Sequence, residues 1–295
     1  MDAETTIHTL TLTEEMEKVE ELQRIIWPGS EVDIVPGHMI KTVARNGGVV
    51  LGAFAGEELT GYVFGFLGAM EIGEGHLASE SLKHCSHQLG VHPDHRNRGI
   101  GYRLKLAQRK AVIEQGIQLA TWTYDPILSL NGYFNVRRLG VVCNRYIRNA
   151  YGSMRDGLNI GLPSDRFDID WYVNSPRVID RVEGGITPPG LSDYKGRGAV
   201  ILNPAKAGEN GLLSPSDQIT APQSSLVLVE IPSDFLDMKE VNFELARTWR
   251  EHTREVFEGA FAEDYLVSDF LFVKDGGESR SYYLLTHREA IEGLR

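Results

Sequence analysis

Residues 7–12 alternate apolar and polar, the period of a short strand, and the pattern then changes: Met16, Val19, Leu22 and Ile26 share one face of a helix. Thr13 offers that helix a cap, and Trp27-Pro28-Gly29 ends it. A second helix is predicted from Pro36 to Arg45, stopping at Asn46-Gly47-Gly48. Val49–Ala55 and Leu59–Leu67 read as a hairpin around Gly56-Glu57-Glu58. A further strand covers 82–91, a helix about 99–115 ends at Gly116, and Leu119–Tyr124 forms the next strand. The predicted order is β-α-α-β-β-β-α-β, an α/β arrangement. A short helix near Ser129–Leu139 and strands at 141–148 and 166–173 complete a first domain over residues 1–178.

Residues 179–225 are rich in Gly, Pro, Ser and Asn, with only Ala199–Leu202 strand-like, and read as a long connection. In 226–295 the signals return. Leu226–Ile231 is a strand, Val241, Leu245, Trp249, His252 and Val256 mark one helix face, and 265–273 and 281–286 are strands. This β-α-β-β extension is small for an independent domain and is expected to pack on the first. It could wall an acceptor pocket, cover a sheet edge or form a homodimer interface.

Composition narrows the class. At 295 residues the chain can bury a sizeable core, and a net charge of −11 argues against nonspecific nucleic-acid binding. Cys85 and Cys143 lie far apart without a C-x-x-C partner, which speaks against a disulfide scaffold or a metal site and for two buried thiols. The first residues carry no basic and apolar leader, and no run approaches a membrane span, so a cytoplasmic protein without a membrane partner is expected.

Candidate chemistry concentrates at Leu89-Gly-Val-His-Pro-Asp-His-Arg-Asn-Arg-Gly-Ile-Gly101, a strand that breaks at Pro93 and re-enters as a helix. The first free backbone N–H groups are expected over Arg96–Gly101, where the helix collects partial positive charge and glycines at 99 and 101 permit close approach. Six Lys or Arg between Asp94 and Val112 face a single acid, the footprint of a phosphorylated ligand on an acidic chain. No G-x-x-x-x-G-K-[ST] or N-terminal G-x-G-x-x-G occurs to suggest a rival phosphate loop.

The run Arg96-x-x-Gly99-x-Gly101 resembles the Arg/Gln-x-x-Gly-x-Gly/Ala signature of the GCN5-related N-acetyltransferase (GNAT) superfamily, and the order of elements is similar to that fold, a mixed sheet flanked by helices. The resemblance implies that Leu89, Val91, Arg96, Asn97, Arg98, Gly99, Ile100 and Gly101 bind an acyl-CoA co-substrate, acetyl-CoA or succinyl-CoA. It also implies a pyrophosphate on the loop, Asn131 near the pantetheine, and splayed fourth and fifth strands. The implied activity is acyl transfer to the amine of a small molecule. The family's usual Tyr, four residues before Gly140, is replaced by Val136, leaving Tyr133, Tyr146 and Tyr151 as substitutes, with Tyr146 taken as the candidate acid. The missing Tyr also keeps open a degenerate acyl-CoA-binding sensor or assembly module.

His87 is the candidate base, expected to share a strand face with Leu89 and Val91, with Glu80 and Asp125 behind it. Tyr124 ends the fifth strand, where open sheets contact substrates. From Pro126 to Arg155 stand five arginines, Arg137, Arg138, Arg145, Arg148 and Arg155, and no acid. They suit a carboxylate-bearing acceptor or acyl chain, or else salt bridges to the acidic remainder. Residues 86–93, 121–126 and 130–140 resemble the GNAT branch associated with N-acylamino acid racemases, to which N-succinylation of D-amino acids is ascribed.

Overall fold

In the computed structural model, which describes residues 5–29, 31–70, 82–152, 160–184, 188–208, 211–275 and 278–290, every strand and helix signal up to Tyr124 becomes an element. They are β1 Thr5–Thr9, α1 Thr13–Ile26, α2 Gly37–Arg45, β2 Val49–Ala55, β3 Glu58–Ala69, β4 Leu82–Val91, α3 Ile100–Glu114 and β5 Leu119–Tyr124. Helix α1 begins at Thr13 itself. Its cap is Glu15, whose carboxylate accepts from the backbone N–H of Thr11 (2.7 Å) and Leu12 (2.8 Å).

The chain forms two units, one running to Trp122 together with Ile160, the other taking the remaining described residues from Thr123 onward. In the first, β1 to β4 pair antiparallel in sequence order, and β4 pairs parallel with β5. Helices α1 and α2 cover one face, where Met16, Val19, Leu22 and Ile40 pack on Val50, Phe54, Leu59, Tyr62 and Phe64. Each such side chain contributes about 1.5–3 kcal/mol by burial. Helix α3 covers the opposite face, Ile100 and Leu104 lying where a side chain on Gly61 of β3 would otherwise stand. This is the mixed sheet flanked by helices that the resemblance implied, built from the order of elements that the pattern predicted.

Two irregularities shape the β4 edge. Phe64 pairs with Gln88 but Gly65 with Ser86, so His87 is an extra, bulged residue. Pairing of β4 with β5 is seen at His84 with Ala120 and at Cys85 with Thr121, the first residues of β5 after Leu119. Among the described residues no pairing between the two parallel strands follows beyond that point.

The second unit contains α4 Ser129–Gly132, continued as a π-helical turn over Tyr133–Arg138, then β6 Val142–Ile147, β7 Arg166–Tyr172, α5 Pro176–Glu183 and α6 Leu191–Gly196. It continues with β8 Val200–Ile201, β9 Lys206–Ala207, β10 Leu213–Ser214, β11 Leu226–Ile231, α7 Phe235–Val241, α8 Phe243–Ala262, β12 Tyr265–Asp275 and β13 Glu278–His287. Its sheet runs β7-β6-β12-β13-β11-β8, and β9 with β10 forms a separate ribbon. The strands expected to close a first domain at 178 therefore pair with the C-terminal segment, Cys143 opposite Val267.

Residues 179–225 are less of a connection than their composition suggests. They include most of α5, begun by Pro176 behind a Ser175 cap, and all of α6. The long helix also starts later than its apolar face implied, because Asn242 accepts from the Leu245 N–H (3.0 Å) and caps α8, leaving Val241 in α7 and exposed. Phe167 anchors the core of this unit, with ring centroids 4.8 Å from Phe257 and 5.5 Å from Tyr283. Among the described residues no helix is long and apolar enough to cross a membrane.

Candidate functional site

The end of β4 is tied down before the chain turns. His92 N–H donates to the Thr60 carbonyl (2.9 Å), and His95 and Arg96 N–H close a tight turn onto His92 and Pro93 carbonyls. That use of the Arg96 N–H shortens the seat expected over 96–101. Asn97 and Gly99 then adopt left-handed backbone, φ 62° and 76°, and swing the chain into α3. No atom would meet a side chain at Gly99, so conformation, not crowding, demands glycine there.

The helical ladder opens with Arg103 N–H donating to the Gly99 carbonyl (3.0 Å), so the N–H groups of Ile100 and Gly101 have no intrahelical acceptor. Ile100 is buried against Gly61 and fixes the helix end on the sheet. A Cβ at Gly101 would lie 3.7 Å from Val91 and 3.8 Å from Leu89, so those two strand residues floor the first turn. Arg96, Asn97, Arg98 and Gly99 are exposed around it. The result is a solvent-facing helix N-terminus, a geometry suited to an anion.

The basic footprint divides on folding. Arg103 donates to the Thr5 carbonyl (2.6 Å), Lys110 lies 3.9 Å from Glu114, and Lys105 is buried. Lys105 Nζ donates to Ser86 Oγ and to Gln108 Oε1, both at 2.9 Å, and lies 3.4 Å from the Trp122 ring centroid. Ser86 also bonds Gln108 (3.0 Å), and the Gln108 amide meets His84 Nε2 at 3.1 Å. Burial lowers the Lys105 pKa well below the ordinary lysine value, and burial followed by the Lys105 charge holds His84 at about 4. This cluster lies under the residues where the pairing of β4 with β5 ends. In the sequence Lys105 is one of six basic residues between Asp94 and Val112. The missed signal is spacing: Lys105 and Gln108 fall on the α3 stripe of Ile100, Leu104 and Val112 that faces the sheet.

His87 is not beside Leu89 and Val91. The bulge turns it to the other face, with its ring 5.2 Å from Phe64 and 6.0 Å from Phe66, where burial lowers its pKa. Strict alternation, which the face assignment assumed, fails across an inserted residue.

The other sequence candidates belong to the second unit, except Glu80 and Arg155, which lie outside the described residues. Tyr124 is buried with its ring 5.8 Å from Phe167, and Asn131 accepts from Asn135 Nδ2 through its carbonyl (2.9 Å). Tyr146 donates to Asp165 (2.8 Å), and burial, then the Asp165 charge, pushes its hydroxyl upward, away from acid duty. Tyr133 and Tyr151 are exposed, and Val136 is fully buried. Asp125 takes a two-pronged bond from Arg250, at 2.7 and 2.6 Å.

The arginines meet carboxylates of their own unit. Arg137 bonds Asp269 (2.6 Å), Arg145 bridges Asp168 (2.9 Å) and Asp170 (2.7 Å) on β7, and Arg148 pairs with Glu258 (2.5 Å). Arg138 is exposed. The acid-free stretch of sequence thus finds its acids across strands and helices.

No family model and no curated protein matches the sequence. Among solved structures, the chain is similar to NAA60 of Arabidopsis thaliana in complex with acetyl-CoA, at 17% identity, TM-score 0.44, covering 57% of this chain and 99% of that one. It is similar to an acetyltransferase of the GNAT family from Streptococcus pneumoniae at 11% identity, TM-score 0.44, over 57% and 98% of the two chains. The ribosomal-protein-S18-alanine N-acetyltransferase of Escherichia coli gives 10% identity and a TM-score of 0.42 over 58% and 94%. Likenesses of this depth assign neither family nor activity.

Proposed function

We propose that this chain is an acyl-CoA-dependent N-acyltransferase that moves an acetyl or succinyl group to the amine of a small molecule. One observation carries the reading. Strand β4 makes its last pair with β5 at Cys85, runs on to Val91, and delivers the chain through left-handed Asn97 and Gly99 into the open N-terminus of α3. The N–H groups of Ile100 and Gly101 would take the pyrophosphate, with Arg96 and Arg98 beside it. The strand edge beyond that last pair leaves β4 backbone N–H groups to bond a thioester carbonyl as it gains charge, while amine and thioester are held together in a ternary complex. When bound, acyl-CoA supplies the activated acyl carbon.

The carboxylate-bearing acceptor, among them the D-amino acids of the racemase-associated branch, loses its main support, because Arg137, Arg145 and Arg148 are committed to protein carboxylates. The amine acceptor is therefore proposed without a charge requirement.

Calorimetric titration with CoA tests the seat. Wild type should bind, and Gly101→Glu should not, because a first-turn carboxylate competes for the same N–H groups. Thiol release from acetyl-CoA and succinyl-CoA over a panel of amines tests the reaction. Binding without thiol release would favour a sensor or assembly module, a reading supported by the buried Val136 at the usual acid position and by Tyr146 bound to Asp165.

A further inference from the structure

The β3–β4 ladder skips His87, and the skip decides where its ring points. It points to the sheet face under α1. On that face a Cβ at Gly90 would stand 2.6 Å from Ile26, the Tyr62 hydroxyl donates to Gln88 (2.9 Å), and Phe64 packs among Met16, Val19 and Leu22. The His87 ring joins it with centroids 5.2 Å from Phe64 and 6.0 Å from Phe66, tilted by 58° and 46°. Phe64 is buried at 1% exposure, whereas Phe66 is 40% exposed and His87 is exposed as well. One ring is therefore an anchor, and two present open surface.

Their place along β4 gives that surface a use. Phe66 lies opposite Cys85, the last β4 residue paired with β5 among the described residues, and His87 follows two residues later. Both stand at the strand edge whose N–H groups the proposed reaction uses. From the bulge and these two open rings we infer that His87 and Phe66 form a shelf for a flat ring of the acceptor, so that the acceptor class is amines carrying an aromatic ring. The inference rests on the acyl-transfer reading and deepens it, naming the acceptor which that reading leaves open.

The physical case is the attraction of rings for rings. Tilted, offset and edge-on neighbours with centroids roughly 4.5–7 Å apart attract beyond what area burial supplies. A third ring laid on Phe66 and His87 extends the set of contacts that Phe64 begins. The shelf is also uncharged, because burial lowers the His87 pKa below its ordinary value and leaves the imidazole neutral at pH 7. Such a surface selects by shape and ring contact, and it asks for no charge on the acceptor beyond its amine.

The test uses the full chain with CoA or acetyl-CoA bound, and two amines of equal reach and similar bulk, 2-phenylethylamine and 2-cyclohexylethylamine. The His87 ring resonance, assigned as the one absent from H87F, is followed by NMR as each amine is added with CoA. Thiol release from acetyl-CoA then gives kcat/KM for both. The aromatic amine should move the His87 resonance by its ring current, and it should be the better substrate. The ratio of the two kcat/KM values should fall about threefold to tenfold in F66A and in H87A, mainly through KM, while F66Y and H87F, which keep a ring at each position, should retain it.

A His87 resonance that 2-phenylethylamine does not move overturns the shelf, as does a wild type that favours the saturated amine. So do F66A and H87A variants that keep the wild-type ratio. Equal loss of kcat toward both amines in H87A and H87F makes His87 a proton acceptor instead, which also refutes the inference. Wild type that releases no thiol with any amine overturns the acyl-transfer reading, and the His87 resonance still decides the shelf because it needs no turnover. If F66A does not fold, F66L removes the ring while keeping most of the bulk and takes its place.

Discussion

Glycines 99 and 101 look equivalent in the sequence motif, yet the structure assigns them opposite responses to alanine. Gly99 sits at φ 76° with open space around it, so Gly99→Ala meets no clash and carries only left-handed strain, about 1–2 kcal/mol. Gly101 is in the first turn of α3, and a Cβ there would make ordinary contacts with Val91 at 3.7 Å and Leu89 at 3.8 Å. Gly101→Ala should therefore stabilise α3 by up to about 1 kcal/mol through lost chain entropy in the unfolded state. Urea unfolding followed by fluorescence, with hydrogen exchange read over α3 amides, measures both variants. Exchange should speed up in Gly99→Ala and slow down in Gly101→Ala. Equal effects, or a Gly101→Ala loss above about 1 kcal/mol, would show that the two backbone conformations have been assigned wrongly.

The second unit offers sharper perturbations. Arg250→Ala leaves the buried Asp125 carboxylate without its forked partner and should cost about 3–5 kcal/mol in thermal unfolding; a loss under 1 kcal/mol would mean the pair is solvated. Burial raises the Asp165 pKa, but bonds from Arg254, the Asn149 N–H and Tyr146 outweigh it and leave the carboxyl below its ordinary value. Its contribution is therefore present above the usual aspartate range and lost as pH falls through the lowered value, so Asp165→Asn should flatten the acid limb of a stability-against-pH curve. Burial pushes the Cys143 thiol up, whereas Cys85 is only half-buried, so a thiol reagent on native protein should modify Cys85 first, as peptide mass spectrometry would show.

What the sequence alone determined is local. Period-two alternation followed by period-3.6 spacing placed the elements up to Tyr124 within a few residues, and Gly99 and Gly101 marked the turn into α3, because these signals depend on neighbours in the chain. Tertiary structure decided whatever depends on residues distant in sequence. The inserted residue at His87 is invisible until β4 is paired with β3, and it alone sends that imidazole to the wrong face for the base first assigned to it. The arginines of residues 137–148 have no acid nearby in sequence, and their partners at Asp168, Asp170, Glu258 and Asp269 exist only once β6, β7, α8 and β12 have assembled. Lys105 shows the same limit in the other direction. A lysine on a charged helix reads as a solvated side chain, and only the packing of α3 on β4 and β5 takes it out of water and places it beside Ser86.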